Sequence, residues 1–315
     1  MKRYYPEGRT SENGEKGIIF RTPAAAVEAA AAGEVLEARA SLCDASHNLI
    51  VDLGCMKGVI PREEGAVGIA DGRVRDIALI SRVNKPVSFV ITGVHTGRQG
   101  EPYALLSRRA AQERCQRDYI DALRPGDVID ARITHLENFG AFCDVGCGIA
   151  ALLPIDAISV SRIAHPADRF SVGMDIRAVV RGIDSAGRIS LSQKELLGSW
   201  EENAAQFSQG ETVSGVIRSV EEYGVFVELL PNLAGLAEPR PGVRAGQQAS
   251  VYIKSLLPDK MKVKLIIIDA FDADYAPPPI QYFYTGSHMD IWRYSPEGCR
   301  KQMETVFSPL TAARA

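Results

Sequence analysis

From residue 33 to about residue 269 the chain is a succession of short apolar runs separated by turn residues, and its hydrophobic period is two rather than 3.6. The first runs cover residues 35–40, 48–54, 58–61, 87–91 and 103–106, with one longer insertion before the fourth. Five short strands of this kind suit an OB-type barrel. The pattern restarts at Gly126 in GDVIDARITHLENFGAFCDVGCGIAALLP. That stretch reads as a strand, a turn bearing Asn138-Phe139-Gly140, a second strand, a glycine-rich turn and a third strand. Residues 176–183 and 188–191, joined by the turn 184–187, complete a second set of five. A third set begins at Gly210 with GETVSGVIRSVEEYGVFVELLPNLAGLAEP and closes with residues 249–253 and 261–268. The starts at Gly33, Gly126 and Gly210 are 93 and 84 residues apart, the size of whole small domains rather than solenoid repeats.

Helical signals lie between these sets. Thr22 and Pro23 offer an N-cap and a first helical residue for AAAVEAAAA, which Gly33 closes. Residues 107–114 are rich in helix formers, and the helical run ends near Leu123, stopped by Pro125-Gly126. Residues 193–207, with Trp200, predict a second helical linker. Residues 1–20 are polar and predict disorder. The tail starts with the stiff run Pro277-Pro278-Pro279 and then carries Tyr282, Phe283, Tyr284, Trp292 and Tyr294. Ser295-Pro296-Glu297 reads as a helix start, with residues 299–307 as one amphipathic helix. So much aromatic surface implies docking, on the third barrel or on a partner. The expected fold is mainly β: three tandem five-stranded OB-type barrels joined by short α-helical linkers, with an aromatic C-terminal tail. The expected division is a disordered tail and short helix over 1–32, a first barrel over 33–107, a linker over 108–124 and a second barrel over 125–192. A second linker over 193–208, a third barrel over 209–269 and a tail over 270–315 complete it.

Composition narrows the function classes. The 315 residues are 46% apolar and 24% charged, ordinary for a soluble globular protein. No apolar run approaches the ~18 residues of a membrane span. The N-terminus lacks the apolar core of a signal peptide, so a cytoplasmic location and no membrane partner are expected. Six cysteines are scattered without a C-x-x-C pair, which argues for reduced structural thiols and against a zinc ribbon or dithiol centre. The net charge of −3 argues against coating duplex DNA by bulk charge. It does not oppose single-stranded RNA binding, where stacking and a few local cations suffice. Residues 146–151 mimic a dinucleotide G-x-G-x-x-A, but that fingerprint must open a helix, and Leu152-Leu153-Pro154 continues a strand. Five dispersed histidines form no nucleophile–base or metal motif. No catalysis, cofactor, metal or small-molecule substrate is expected.

The sharpest candidate chemistry is the pair Phe139 and Phe142. Strand alternation puts Ala141, Cys143 and Val145 on one face and Phe142 with Asp144 on the other. An Asp beside a Phe predicts an exposed face, where a ring can stack a base at ~1–3 kcal/mol.

These residues carry a resemblance. Gly126-Asp127-Val128, Phe139-Gly140-Ala141-Phe142, Asp144-Val145-Gly146, Leu152-Leu153-Pro154, His165-Pro166, Val172-Gly173-Met174 and the run from Gly187 to Ser192 follow one ordered phrase. The second set thereby resembles the S-one RNA-binding domain family, named after a protein of the bacterial small ribosomal subunit. The resemblance, which spans roughly residues 33–269, implies RNA lying across a barrel face that holds Phe139, Phe142, Asp184 and Arg188. Arg188 would pair with phosphate or stack as a planar cation, and Asp184 would orient it or accept from a base. The family often has a His on the third strand, where this chain has Pro154. The third set keeps Tyr223 and Phe226 at the stacking positions and offers Lys260, Lys262 and Lys264, but it has Glu238 in place of that His. The first set has Ser46-His47-Asn48-Leu49-Ile50-Val51 where the rings should stand, which implies docking to protein. The resemblance as a whole implies a protein that binds single-stranded RNA or mRNA on barrels two and three. It would act in translation at the small ribosomal subunit, with small-subunit proteins as partners of the first barrel. The alternatives are a non-ribosomal RNA-binding regulator and a protein-interaction scaffold with vestigial RNA-binding faces.

Overall fold

The computed structural model describes residues 4–9, 20–273 and 279–307. Three closed five-stranded barrels follow one another along the chain. The first is built from β1 (Leu36–Cys43), β2 (Leu49–Asp52), β3 (Lys57–Ile60), β4 (Pro86–Thr96) and β5 (Pro102–Ser107). The second uses β6 (Val128–Glu137), β7 (Gly140–Asp144), β8 (Ala150–Pro154), β9 (Asp175–Ile183) and β10 (Ile189–Ser192). The third uses β11 (Thr212–Glu221), β12 (Gly224–Leu230), β13 (Leu233–Ala237), β14 (Gln248–Leu257) and β15 (Lys262–Phe271). In all three the last strand closes the barrel by running parallel to the third. Period-two burial produces the cores. In the first barrel Leu49, Val51, Phe89 and Leu106 point inward and are fully buried.

Short helices punctuate the barrels. Helix α1 (Pro23–Ala32) has Thr22 as its N-cap, accepting from the Ala25 N–H at 3.4 Å. It ends at Gly33 in the left-handed region. The insertion between β3 and β4 holds the single turn α2 (Ile77–Ile80), which packs Leu79 on Ala66 and Ile69. Helix α3 (Arg108–Asp118) follows the first barrel. The second linker is two pieces rather than one helix: a 3-10 turn over Lys194–Leu197, then α4 (Trp200–Ala204). Gly198, at φ 84°, breaks it.

The chain forms two compact units. One comprises Met1–Leu123, Asp130–Arg132 and Asp144–Ala150, and the other Arg124–Ile129, Ile133–Cys143 and Ala151–Ala315. Two expectations are corrected by interactions within them. Residues 4–9, expected to be disordered, are anchored in the first unit with Tyr4 and Glu7 buried; residues 10–19 lie outside the described residues. The Glu7 carboxylate accepts from Nε and Nη2 of Arg108 at 2.7 and 2.9 Å and from Arg82 at 3.0 Å. Burial alone would raise the Glu7 carboxyl, but Arg108, with Arg82 and the Ser88 N–H, together outweigh it and hold the group below the usual carboxylate range.

The second correction is in the tail. The expected amphipathic helix over 299–307 is absent. Instead β16 (Ile291–Arg293) pairs antiparallel with β17 (Glu304–Val306). Trp292 and Tyr294, two residues apart, are both buried, as a strand's period requires and a helix's does not. They join Trp200 and Phe307 in one cluster with the third-barrel core, so Trp200 packs on a barrel flank as a linker tryptophan should. Asn232, fully buried, ties the second unit together. Its amide oxygen accepts from the Val160 N–H at 3.0 Å, and its amide nitrogen donates to the Lys194 and Gly198 carbonyls at 2.8 and 2.9 Å. Its own carbonyl accepts from the Tyr294 hydroxyl at 2.6 Å. Pro277 and Pro278 lie outside the described residues.

Candidate nucleic-acid interface

One structural register recurs on the outer face of all three barrels. In the third, Ser219 of β11 pairs with Phe226 of β12, Phe226 with Leu236 of β13, and Leu236 with Lys264 of β15. In the first, the corresponding row is Leu42, Ile50, Val59 and Leu105. In the second, Leu152 of β8 pairs with Ser190 of β10. The Ile155 N–H donates to the Phe139 carbonyl at 3.0 Å, which sets Phe142 opposite Leu152 in that row. The four residues of a row project from one side of the sheet because pairing partners share a face. The row therefore ends on a cation in barrel three and is aliphatic throughout in barrel one.

The aromatic pairs are built the same way in barrels two and three. Phe139 and Phe142 stand 6.0 Å apart between ring centres, with planes at 90°. Tyr223 and Phe226 stand 6.1 Å apart at 87°. In each pair the first ring is open to solvent, Phe139 at 55% and Tyr223 at 67% exposure, and the second is half-buried. The glycine between them is sterically required. A Cβ at Gly140 would meet the Leu153 carbonyl oxygen at 2.5 Å, and one at Gly224 would meet that of Ala237 at 2.6 Å. The missing side chains let the neighbouring strand approach closely under the rings.

Asp184 and Arg188 form a unit of their own across the turn before β10. Asp184 accepts from the Arg188 Nε at 2.7 Å and from the Arg188 and Ala186 N–H groups at 2.9 Å. These donors, the Arg188 N–H first, hold the Asp184 carboxyl below its ordinary range. Asp184 thus orients Arg188, whose side chain remains 83% exposed. Arg188 lies two residues before Ser190 and so projects from the same side of the sheet. In barrel three the same alternation leaves Lys262 and Lys264 exposed while Val263 and Leu265 are buried. Glu238 is engaged by Lys254 at 3.6 Å.

Asp144 departs from its expected place. Alternation sets it beside Phe142, yet it is buried rather than exposed. Its carboxylate accepts from the Glu7 N–H at 2.7 Å and from the Gly146 and Gly148 N–H groups at 2.8 and 3.0 Å. Burial, with the Glu7 charge adding to it, pushes the carboxyl up to about 7 against those donors. Asp144 thereby occupies the N–H nest of the glycine turn that resembles a dinucleotide fingerprint. In barrel one the first ring position falls in a tight turn, and Ile50 of β2 takes the second. Asp44 accepts from the Ser46 and Asn48 N–H groups, both at 2.9 Å, and His47 sits at φ 62°.

One further ring lies at the second-barrel site and carries no motif of its own. His135, on β6, stands 6.5 Å from Phe142 with the planes at 28°. It occupies the row position held by Ser219 and Leu42. Only alignment of the three strands against one another brings it out.

Residues 122–194 match the family model of the S1 RNA binding domain. The chain is similar to small ribosomal subunit protein bS1 of Leuconostoc lactis, with 29% identity over 234 residues that cover 69% of this chain and 52% of that protein. To the protein of the same name from Staphylococcus aureus (strain COL) it is 31% identical over 180 residues, 52% of this chain and 46% of that one. The chain spans about half the length of the curated relatives it matches. Among solved structures, a multidomain protein with nucleic acid binding domains from Streptococcus pneumoniae aligns with 12% identity and a TM-score of 0.24, over 75% of this chain and 74% of that one.

Proposed function

We propose that this S1-like chain binds single-stranded RNA, mRNA in particular, on its second and third barrels and acts in translation at the small ribosomal subunit. The observation that carries the reading is the repeated pair of solvent-facing rings, Phe139 with Phe142 and Tyr223 with Phe226, at matched distance and angle over a glycine that admits no side chain. Stacked bases need an exposed π-face and are indifferent to net charge, so a chain of net charge −3 is suited to this mode. Arg188, oriented by Asp184, supplies a phosphate contact in barrel two, and Lys262 and Lys264 supply it in barrel three. The activity is binding rather than catalysis, in the cytoplasm where ribosomes work. The first barrel, with an aliphatic row and no ring pair, serves protein docking, and small-subunit proteins are its partners.

The test is a fluorescence anisotropy titration of the full chain with labelled single-stranded RNA. Replacing Phe139 and Phe142 together by Ala is expected to weaken binding by about tenfold or more, at ~1–3 kcal/mol per stacked base. Unchanged affinity would defeat the site assignment. Sedimentation with ribosomal subunits at low salt separates the ribosomal role from that of a free RNA-binding regulator, which would stay out of the small-subunit fractions.

A further inference from the structure

We infer that a nucleobase inserts between His135 and Phe142, making the second barrel a base-sandwiching site rather than a flat stacking platform. The inference rests on the RNA-binding reading and names the mode of recognition at that site. Phe139 meets Phe142 at 90° and cannot share a stack with it. His135 is the ring near parallel, at 28° and 6.5 Å between centres. Stacked bases repeat at about 3.4 Å, so a base held between two rings needs about 6.8 Å. The centre-to-centre distance is already shorter than that, so a side-chain rotation of the exposed His135 must part the rings to admit a base.

The slot is accessible and its walls are held differently. Phe142 is half-buried on β7, fixed by the sheet beneath it. The His135 side chain is 63% exposed, and its Nε2 lies 2.7 Å from the Glu137 carboxylate, two residues along the same face of β6. That pairing engages the ring through its edge and leaves the side chain largely exposed. Beside the slot, the Thr134 hydroxyl donates to the Phe142 carbonyl at 3.1 Å, which fixes β6 against β7 at this level. The other two barrels have no such wall: Ser219 occupies the position in barrel three and Leu42 in barrel one. The slot is therefore a property of the second barrel and distinguishes it from the third, whose ring pair is otherwise matched in geometry.

A competing account of the same geometry is a self-stack in which His135 covers Phe142. In that case removing the imidazole would free the phenyl face, and RNA would bind as well or better. The experiment uses the full chain, a single-stranded RNA carrying an aminopurine reporter, anisotropy for affinity and reporter quenching for stacking. The sandwich predicts that His135→Ala weakens binding by about tenfold and loses most of the quenching. His135→Phe should retain both. In a Phe139→Ala, Phe142→Ala background, where barrel three dominates, Ser219→His should strengthen binding. If His135→Ala binds RNA as tightly as the parent with quenching intact, the sandwich is overturned, while loss of binding in the double Phe variant would leave the RNA reading standing. A parent chain that binds no single-stranded RNA overturns both.

Discussion

At Gly140 a single added methyl group decides whether β7 can lie against β8. The Cβ would sit 2.5 Å from the Leu153 carbonyl oxygen, and backbone does not yield as a flexible side-chain end would. Gly140→Ala is expected to destabilise the second barrel by about 1–3 kcal/mol, as overpacking does, and to tilt both rings out of place. A lowered melting temperature together with weakened RNA binding would confirm it, and Gly224→Ala should do the same in the third barrel. At this scale the sequence is readable where the determinants are near neighbours. Phe139-Gly140-Ala141-Phe142 places its rings through strand period and one glycine. Asp144 escapes that reading because alternation says which side of a strand a residue is on, not what covers that side. Its cover, Glu7, is 137 positions away. His135 escapes it for a related reason: its partner Phe142 is adjacent only once β6 and β7 pair.

Two elements outside the barrels depend on charge pairs. The segment 4–9 is held by Glu7 on Arg108, both buried. Arg108→Ala would leave a buried carboxylate without its principal partner, and a cost of about 3–5 kcal/mol is expected, read as a lower melting point of the first unit. The tail strap is held differently. The Arg177 guanidinium donates to the Tyr284 and Gly286 carbonyls at 2.9 and 2.8 Å, and His288 Nδ1 lies 2.7 Å from Asp127. Asp127 and then Asp290 raise the His288 pKa by favouring the protonated ring, against the burial that opposes it. The folded state thus keeps a proton that the unfolded chain releases at about pH 6.5. Stability from this pair is fully present below about pH 6.5 and disappears as pH rises through the raised value. Hydrogen exchange of the tail amides should accelerate across that window, and Asp127→Asn should flatten the dependence. Neither strap is legible from composition. The tail's aromatic content announces docking, but the choice of a hairpin over a helix comes from burying Trp292 and Tyr294 on one face, which needs the third-barrel core as the opposing surface.

Across the whole molecule the three barrels share a topology and differ in the chemistry of one row. Barrel one presents aliphatic side chains there, barrel two rings and a nearby Arg, barrel three a ring and a Lys. If barrels two and three hold one RNA strand, tethering makes the second engagement intramolecular, and two weak sites give useful avidity. Stacking and charge can then be separated by salt. Removing one phosphate-binding cation should lower the slope of log affinity against log salt by about 0.7 for a single strand, so Lys262→Ala with Lys264→Ala should reduce it by about 1.4. The double Phe variant should lower affinity with the slope unchanged, and equal slopes in all variants would argue against phosphate binding by the lysines. The number of barrels, their spacing and the ring pairs are determined by the sequence alone, because alternation, turn glycines and repeated phrases are short-range signals. The burial of Asp144, the anchoring of residues 4–9, the tail hairpin and the pairing of His135 with Phe142 are decided by tertiary structure. The first three depend on which distant surface removes water from a given face, and the last on how β6 and β7 pair; no local pattern carries that information.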